Sequence, residues 1–516
     1  ILADRGTLRL IFNKFIKILM LLRLLKTNKF LKYITPVAGG IIGGLSISSN
    51  LWIIFMPISL SILWSGFDRR YSNFLWGFSL ILISHYWLLY LHPLTWLGFS
   101  WISSILISNI ILIFCSLLGG FFVLLWGLAG NKIISKNDIF SKQYTFVFMR
   151  VTLVALLWAL GEVFISQTSF LWIGIGESLI PGDLYLAGLA RLIGSPGVCF
   201  IIILLGFWVF FVYERWKRNL NFNKVFLFGT LIIFCLHLLG GYLIHPNNFR
   251  NSLYPIAIWQ TNIPTREKLI LNNQKTNDQI LLQQDKALSK SAQLLVVPEG
   301  TLKTNFHFQD PSKINTLIGG FRIEKDSIRN SLLAFKEGDK FYSNFLDKYR
   351  LVPLGERIPK IFHKFLNLSS LGGIEPGNQK RYFEWENSPP FAAIICYEIT
   401  DGLKIKNAVQ DGSKFILAIA NLDPYPSKIF NQYLSLVRMR SIENNIDTVI
   451  ASNTGPSGLI RNDGRIGKLM DSNKEDHQVV YTQLLNKKTF YTHYGIWPLI
   501  ITFIFLSIYI YFFSRH

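Results

Sequence analysis

Three residues have the types needed to make and break acyl bonds. Cys396 follows the apolar run Phe391–Ile395 in FAAIICYEITDG, Glu299 follows LLVVP, and Lys348 stands in DKYRLVPLGERIP, a segment rich in Pro and Gly. A thiol attacks only as the thiolate, so it needs a base, and a carboxylate such as Glu299 can serve. An ammonium such as Lys348 would stabilise both the thiolate and an oxyanion formed from a carbonyl. Ligand sites in open α/β folds form at the carboxyl ends of strands, where Cys396 and Glu299 are both expected. Singly each has an ordinary reading, because a Glu after a strand commonly starts a helix and a loop Lys is usually solvated. The three together point to nucleophilic catalysis.

The cysteine count sharpens this. Of four cysteines, Cys115, Cys199 and Cys235 lie in long apolar stretches, where a small buried hydrophobe is expected. Cys396 alone falls in the polar part of the chain. On an oxidising side of a membrane a lone thiol is either incidental or reactive. Zinc-type Cys/His spacing and basic-aromatic recognition modules are absent from the sequence, so neither a metal, a cofactor nor a nucleic-acid partner is expected.

The elements that must position these residues read as short apolar runs bounded by turns. Tyr254–Trp259, Gln293–Val297, Phe391–Ile395, Phe415–Ala420 and Thr448–Ala451 are expected as buried strands. Helices are expected over Thr276–Ser291 and Asn431–Asn445. Asn462–Asp463–Gly464 is a hairpin turn between Gly458–Arg461 and Ile466–Leu469. The alternation gives a layered α/β domain between residues 246 and 494, large enough for one enzyme domain.

Outside that domain the composition excludes an ordinary soluble enzyme: half of the 516 residues are hydrophobic, and mean hydropathy is +0.33. Apolar stretches near 73–91, 101–128, 146–166, 190–213, 224–244 and 495–513 are long enough to cross about 30 Å of hydrocarbon. The stretch 34–65 is too long for one span and is split at Ser48–Asn50, giving eight spans. Basic residues then mark one side: Arg5 to Lys32 in the tail, Arg69 and Arg70, Lys132, Lys136 and Lys142, Arg215, Lys217 and Arg218, and Arg515. The opposite loops His92–Ser100 and Gln167–Leu189 carry no Lys or Arg, with Arg191 the one exception at an outer mouth. The net charge of +21 is read as topology charge and attraction to anionic lipid. Leu8–Tyr33 is too charged for a cleaved signal peptide and is expected along the membrane surface. The organisation expected is a basic segment over 1–33, a seven-span domain over 34–245, an extracytoplasmic domain over 246–494, and a last span with a short cytoplasmic tail over 495–516.

The motifs resemble those of the apolipoprotein N-acyltransferases, the membrane branch of the nitrilase superfamily. VVPEG, DKYRLVPLGERIP and ICYEI match that family's catalytic Glu, Lys and Cys at Glu299, Lys348 and Cys396. Glu356 in VPLGE matches an additional acid, and Tyr397 and Glu398 match the residues after the nucleophile. WQTNI, RMRSIENN and ASNTGPSG resemble further family blocks. The chain departs from the family at NLDPYP (Asn421–Pro426), at Gln432 or a neighbour, where a His often stands, at GEVFISQTSFLWIGIG, and near Leu269.

The resemblance implies an eight-span membrane protein with an extracytoplasmic αββα domain in the bacterial inner membrane, both termini cytoplasmic. It implies ping-pong acyl transfer from a phospholipid to the α-amino group of an apolipoprotein's diacylglyceryl-cysteine, through a Cys396 thioester, with no cofactor; a monomer is expected. Ile361–Leu371 is a candidate lid, or equally an ordinary surface helix. Glu162 reads as structural or interfacial, and His85 and His237 as interhelical hydrogen-bonders. Two other readings stay open from the residues: a membrane-tethered amidase using water as acceptor, and a degenerate lipid-binding or transport scaffold. The many spans argue against the first, and the intact Glu, Lys and Cys against the second.

Overall fold

The computed structural model describes residues 31–95, 98–135, 138–140, 144–245, 252–268, 272–325, 327–353, 355–356, 373–423 and 425–513. The surface segment before residue 31, the candidate lid Ile361–Leu371, Lys136, Lys142, Leu269 and Arg515 lie outside them.

All eight apolar segments are helical. Helices α1 (Leu31–Ser46), α2 (Trp52–Ser65), α3 (Arg70–Ser84), α4 (Trp101–Ile133), α5 (Tyr144–Ser166), α6 (Ala190–Lys217) and α7 (Asn223–Leu243) precede the α/β domain. The break between α1 and α2 falls where the length argument put it, with Ser48 in the left-handed region at φ 55°. Four of the helices, α4 to α7, are long and apolar enough to cross a membrane. The others have 14 to 17 residues, or about 21–26 Å at 1.5 Å per residue, and α3 is prolonged by a 3-10 turn over Tyr86–Leu91. The paired glycines of α1 let it lie against α3: a Cβ on Gly40 would stand 2.3 Å from the Trp76 carbonyl oxygen, the small-residue packing typical of helices in lipid.

Two side chains, Cys235 and His85, differ from expectation here. Cys199 is buried and Cys115 partly so, but Cys235 is exposed on the outer face of α7, a helix whose sides are largely uncovered by protein. His237 bonds Asp183 across elements at 2.8 Å. His85 instead makes a local bond to the Ser84 hydroxyl, because it sits in the turn ending α3. The exceptional Arg191 has its guanidinium on the carbonyls of Leu243 and Asn462.

The α/β domain is two six-stranded sheets face to face. The first runs β12 (Asp476–Gln483), β1 (Leu253–Gln260), β2 (Leu294–Leu302), β3 (Thr316–Glu324), β4 (Ser327–Phe335), β5 (Asn344–Asp347). The second runs β11 (Ile466–Leu469), β10 (Gly458–Ile460), β9 (Thr448–Ser452), β8 (Phe415–Ala420), β7 (Phe391–Ile395), β6 (Tyr382–Phe383). The period of two decides the layers. Ile256, Ile258, Leu294 and Val296 pack toward the second sheet, while Ala257, Trp259, Leu295 and Val297 pack on α8 (Asn273–Ser289). Helices α9 (Gly402–Gln410) and α10 (Ser427–Asn444) cover the second sheet. The order is therefore helix, sheet, sheet, helix, and α11 (Trp497–Phe513) follows.

The α/β domain is bolted to the helix ends. Gln432 on α10 accepts from the indole N–H groups of Trp87 (3.1 Å) and Trp172 (2.8 Å) and donates to the Ser84 carbonyl. Arg440 pairs with Glu443 at 2.7 Å and with Glu177 at 3.0 Å. Glu162 accepts from Trp158 and from the Ile175 N–H, holding the start of the short helix Ile175–Ser178, a structural task.

Candidate active site

Glu299 sits inside β2, not past its end. Pro298 has no N–H to give and Gly300 is left-handed at φ 68°, so pairing with β3 lapses between Val297 and Leu302 and then resumes. Gly319 on β3 makes room: a Cβ there would lie 2.4 Å from the Glu299 Cα. Lys348 directly follows β5, its N–H donating to the Asn330 carbonyl of β4 at 2.8 Å. Cys396 directly follows β7 and adopts φ 51°. A non-glycine residue held there stores roughly 1–3 kcal/mol of strain, which persists only where the surroundings enforce it. The turn Cys396–Thr400 then carries the chain away into α9.

These three chain segments converge. The Lys348 Nζ donates to Glu299 Oε1 at 2.9 Å and lies 2.9 and 2.8 Å from the two oxygens of Glu356. Asn330 Nδ2 donates to both carboxylates, at 2.8 Å each, and the Asn421 N–H donates to Glu299 Oε2 at 2.9 Å. Lys348 is 1% exposed, Glu299 5% and Cys396 9%.

Burial of this degree would discharge isolated groups, but here they compensate each other. Burial alone would raise the Glu299 carboxyl; the charge of Lys348, with hydrogen bonds from Lys348, Asn330 and the Cys396 thiol, holds it below the usual carboxylate range. Burial alone would lower Lys348, yet Glu299 and Glu356 hold it well above its ordinary value. Burial pushes the Cys396 thiol up, as do Glu299 and Glu356, against Lys348. The resting state is a Glu299–Lys348 ion pair beside a neutral thiol.

The residues after Cys396 support it. Glu398 accepts from the N–H of Ile395 at 2.9 Å and of Tyr349 at 2.7 Å. Tyr397 donates to the carbonyls of Ser169 (2.7 Å) and Leu171 (3.1 Å) and stacks on Trp172, rings 5.6 Å apart. Arg350 donates to the carbonyls of Ser166, at 2.7 Å, and Thr168. The segment that includes Lys348 is thereby fixed to the end of α5.

Sequence reasoning missed Asn330, Lys268, Arg381 and the role of Asn421. Asn330 stands in the mixed run SIRNSLLAF, where an amide gives no signal. Lys268, whose ammonium donates to the Glu299 carbonyl at 3.2 Å, had none.

The chain is 53% identical to an apolipoprotein N-acyltransferase of Prochlorococcus marinus subsp. pastoris MED4, over 93% of this chain and 97% of that protein. The chain belongs to the apolipoprotein N-acyltransferase family. Two further members, from Prochlorococcus marinus strain SARG and Parasynechococcus marenigrum strain WH8102, are 38% and 34% identical, covering 92% and 84% of this chain and 96% and 91% of their own. No family model matches the chain. Among solved structures, a mutant of the Nesterenkonia AN1 amidase from the nitrilase superfamily aligns with TM-score 0.36 at 16% identity, covering 49% of this chain and 98% of its own. Saccharomyces cerevisiae Nit3, of the same superfamily, aligns with TM-score 0.34 at 16% identity over 46% and 93%. As a family member the chain is an acyltransferase, and the buried cluster at Cys396 is its candidate centre.

Proposed function

We propose that the protein transfers a fatty acyl group from a phospholipid to the free α-amino group of an apolipoprotein's N-terminal diacylglyceryl-cysteine, with Glu299, Lys348 and Cys396 as the reacting groups. Glu299 takes the thiol proton as Sγ attacks the ester carbonyl, and Lys348 steadies the oxyanion. The ester C–O bond breaks, Glu299 returns the proton to the departing oxygen, and a lysophospholipid leaves a thioester on Cys396. The α-amine then attacks that carbonyl, Glu299 removes its proton, and the proton returns to the expelled thiolate. Glu356, Tyr397 and Glu398 hold the reacting groups in place.

The observation that carries this reading is a strained Cys396 beside a buried Glu299–Lys348 pair, in a domain bonded to the ends of apolar helices. Both substrates carry acyl chains, each buried methylene worth about 0.8 kcal/mol, so the enzyme must work where they reside. In the same reading the eight helices are spans, residues 246–494 lie on the extracytoplasmic face, 1–33 and 495–516 flank the membrane with both termini cytoplasmic, and the protein acts as a monomer. The basic residues flanking the helices support that orientation.

The test is the N-terminal mass of a lipoprotein in cells lacking this protein and any other N-acyltransferase, complemented with wild type or Cys396→Ala. Wild type should restore the third acyl chain and C396A should not. Triacylation in the uncomplemented cells would overturn the reading, and a Cys396 thioester without change in lipoprotein mass would favour the amidase.

A further inference from the structure

Tyr433 lies on α10, which packs against the Cys396–Thr400 turn. Its ring is fully buried, yet its hydroxyl has no hydrogen-bond partner among the described residues. Burying a hydroxyl without a partner is unfavourable, and a phenol with no mate in the free enzyme marks a place where a mate arrives. The ionisable groups near enough to influence that hydroxyl are Cys396, Glu299 and Lys348, the reacting centre itself.

The neighbouring donors are committed. The ammonium of Lys348 is shared by Glu299 Oε1 and both oxygens of Glu356. The Asn421 N–H is on Glu299 Oε2, and both hydrogens of Asn330 Nδ2 point at carboxylates. An oxygen gaining negative charge at the carbonyl attacked by Cys396 therefore meets, besides the already shared ammonium of Lys348, one uncommitted buried donor on α10. Burial holds the phenol well above its ordinary range, so it keeps its proton beside these charges.

We propose that the Tyr433 hydroxyl is a further catalytic group, donating a hydrogen bond to the substrate carbonyl oxygen as it becomes the oxyanion. This rests on the acyl-enzyme reading given above. The same bond serves both halves of the reaction, since each passes through a tetrahedral oxyanion at one carbon. Tyr433 gives no proton away: the phenol donates and remains a phenol, while the proton shuttle stays with Glu299.

The experiment compares purified wild type, Tyr433→Phe and Cys396→Ala in detergent micelles with a fluorescent-acyl phosphatidylethanolamine, following label on Cys396 in a single turnover together with Tm. Y433F removes only the unpartnered oxygen, so Tm should stay level or rise, while the acylation rate should fall by about 10²–10³-fold, the usual effect of losing one oxyanion donor. Tyr433→His, which restores a ring N–H, should recover part of that loss. A Y433F rate within tenfold of wild type overturns the proposal. So does a rate loss accompanied by a collapsed Tm, which would make the hydroxyl a structural group. If wild type itself takes up no label, the acyl-enzyme reading falls and takes this inference with it. Normal labelling of both wild type and Y433F removes the Tyr433 inference alone.

Discussion

Arg381 holds Glu398 through hydrogen bonds of 2.9 and 3.0 Å, with both side chains 1% exposed or less. The pair fixes the carboxylate that binds the amide just before Cys396 and the amide just after Lys348, so one buried ion pair sets the spacing of these two candidate residues.

Breaking that pair leaves a buried guanidinium uncompensated, which typically costs about 3–5 kcal/mol. Glu398→Gln should lower Tm sharply and slow acylation of Cys396, whereas Arg381→Met combined with Glu398→Gln, which removes the unpaired charge and keeps an acceptor for the two amides, should regain much of the stability without the activity. Thermal unfolding in detergent checks it. A double variant no more stable than E398Q would refute the ion-pair argument.

Glu356 gives two readouts of opposite sign. Its charge is one of the influences raising the Cys396 thiol, so Glu356→Gln should speed iodoacetamide alkylation of Cys396 at fixed pH. Acyl transfer should nonetheless fall by about 10–100-fold, because Lys348 loses one of the two carboxylates that position it. Slower alkylation in E356Q would contradict the electrostatic picture.

Lys268 makes stability depend on pH. Burial lowers it from 10.5 to about 8, against the opposing pull of Glu299 and Asp423. Between those values the unfolded chain holds a proton that the folded chain has released, so stability should rise with pH through this window, by at most about 3 kcal/mol. Below pH 8 that gain is absent. Lys268→Met should show a flatter profile between pH 7.5 and 10, and equal slopes for the two proteins would dispose of the assignment.

Gln432→Leu should strip two buried indoles of their acceptor at once, at about 1–3 kcal/mol for each donor left unpaired. Because Trp87 and Trp172 precede the α/β domain and Gln432 lies within it, the loss should appear as easier proteolysis between the two parts as well as a lower Tm. Unchanged cleavage would show that Gln432 is not a tie between them.

The five buried strands expected from sequence, and the late hairpin, are all present, and the reason is physical. Strands β7, β8 and β9 are parallel and buried on both faces, so they read as unbroken apolar runs. The unanticipated β3–β4 hairpin, β5, β6 and β12 are antiparallel or edge strands, whose faces mix polar with apolar residues. Glu299, Lys348 and Cys396 were legible because each abuts such a run or a Pro/Gly turn. Asn330 and Tyr433 were not, since an amide in a β-hairpin and a tyrosine on an amphipathic helix look ordinary until three distant segments are seen to meet. Segment length gave the break between α1 and α2, but not the end of α3, which stops at Ser84 although its apolar run continues to Leu91.

The pairing of β1 with β12 joins Leu253 to Gln483, about 230 residues later in the chain. During synthesis the first sheet has an unclosed border at β1 until nearly the whole domain has emerged, and such late, non-local closure folds slowly. A bare border is also where chains stick to one another. Truncations that stop before residue 476 should therefore aggregate instead of yielding a smaller, partly active enzyme, and the yield of intact protein should respond to how quickly its last strand is delivered.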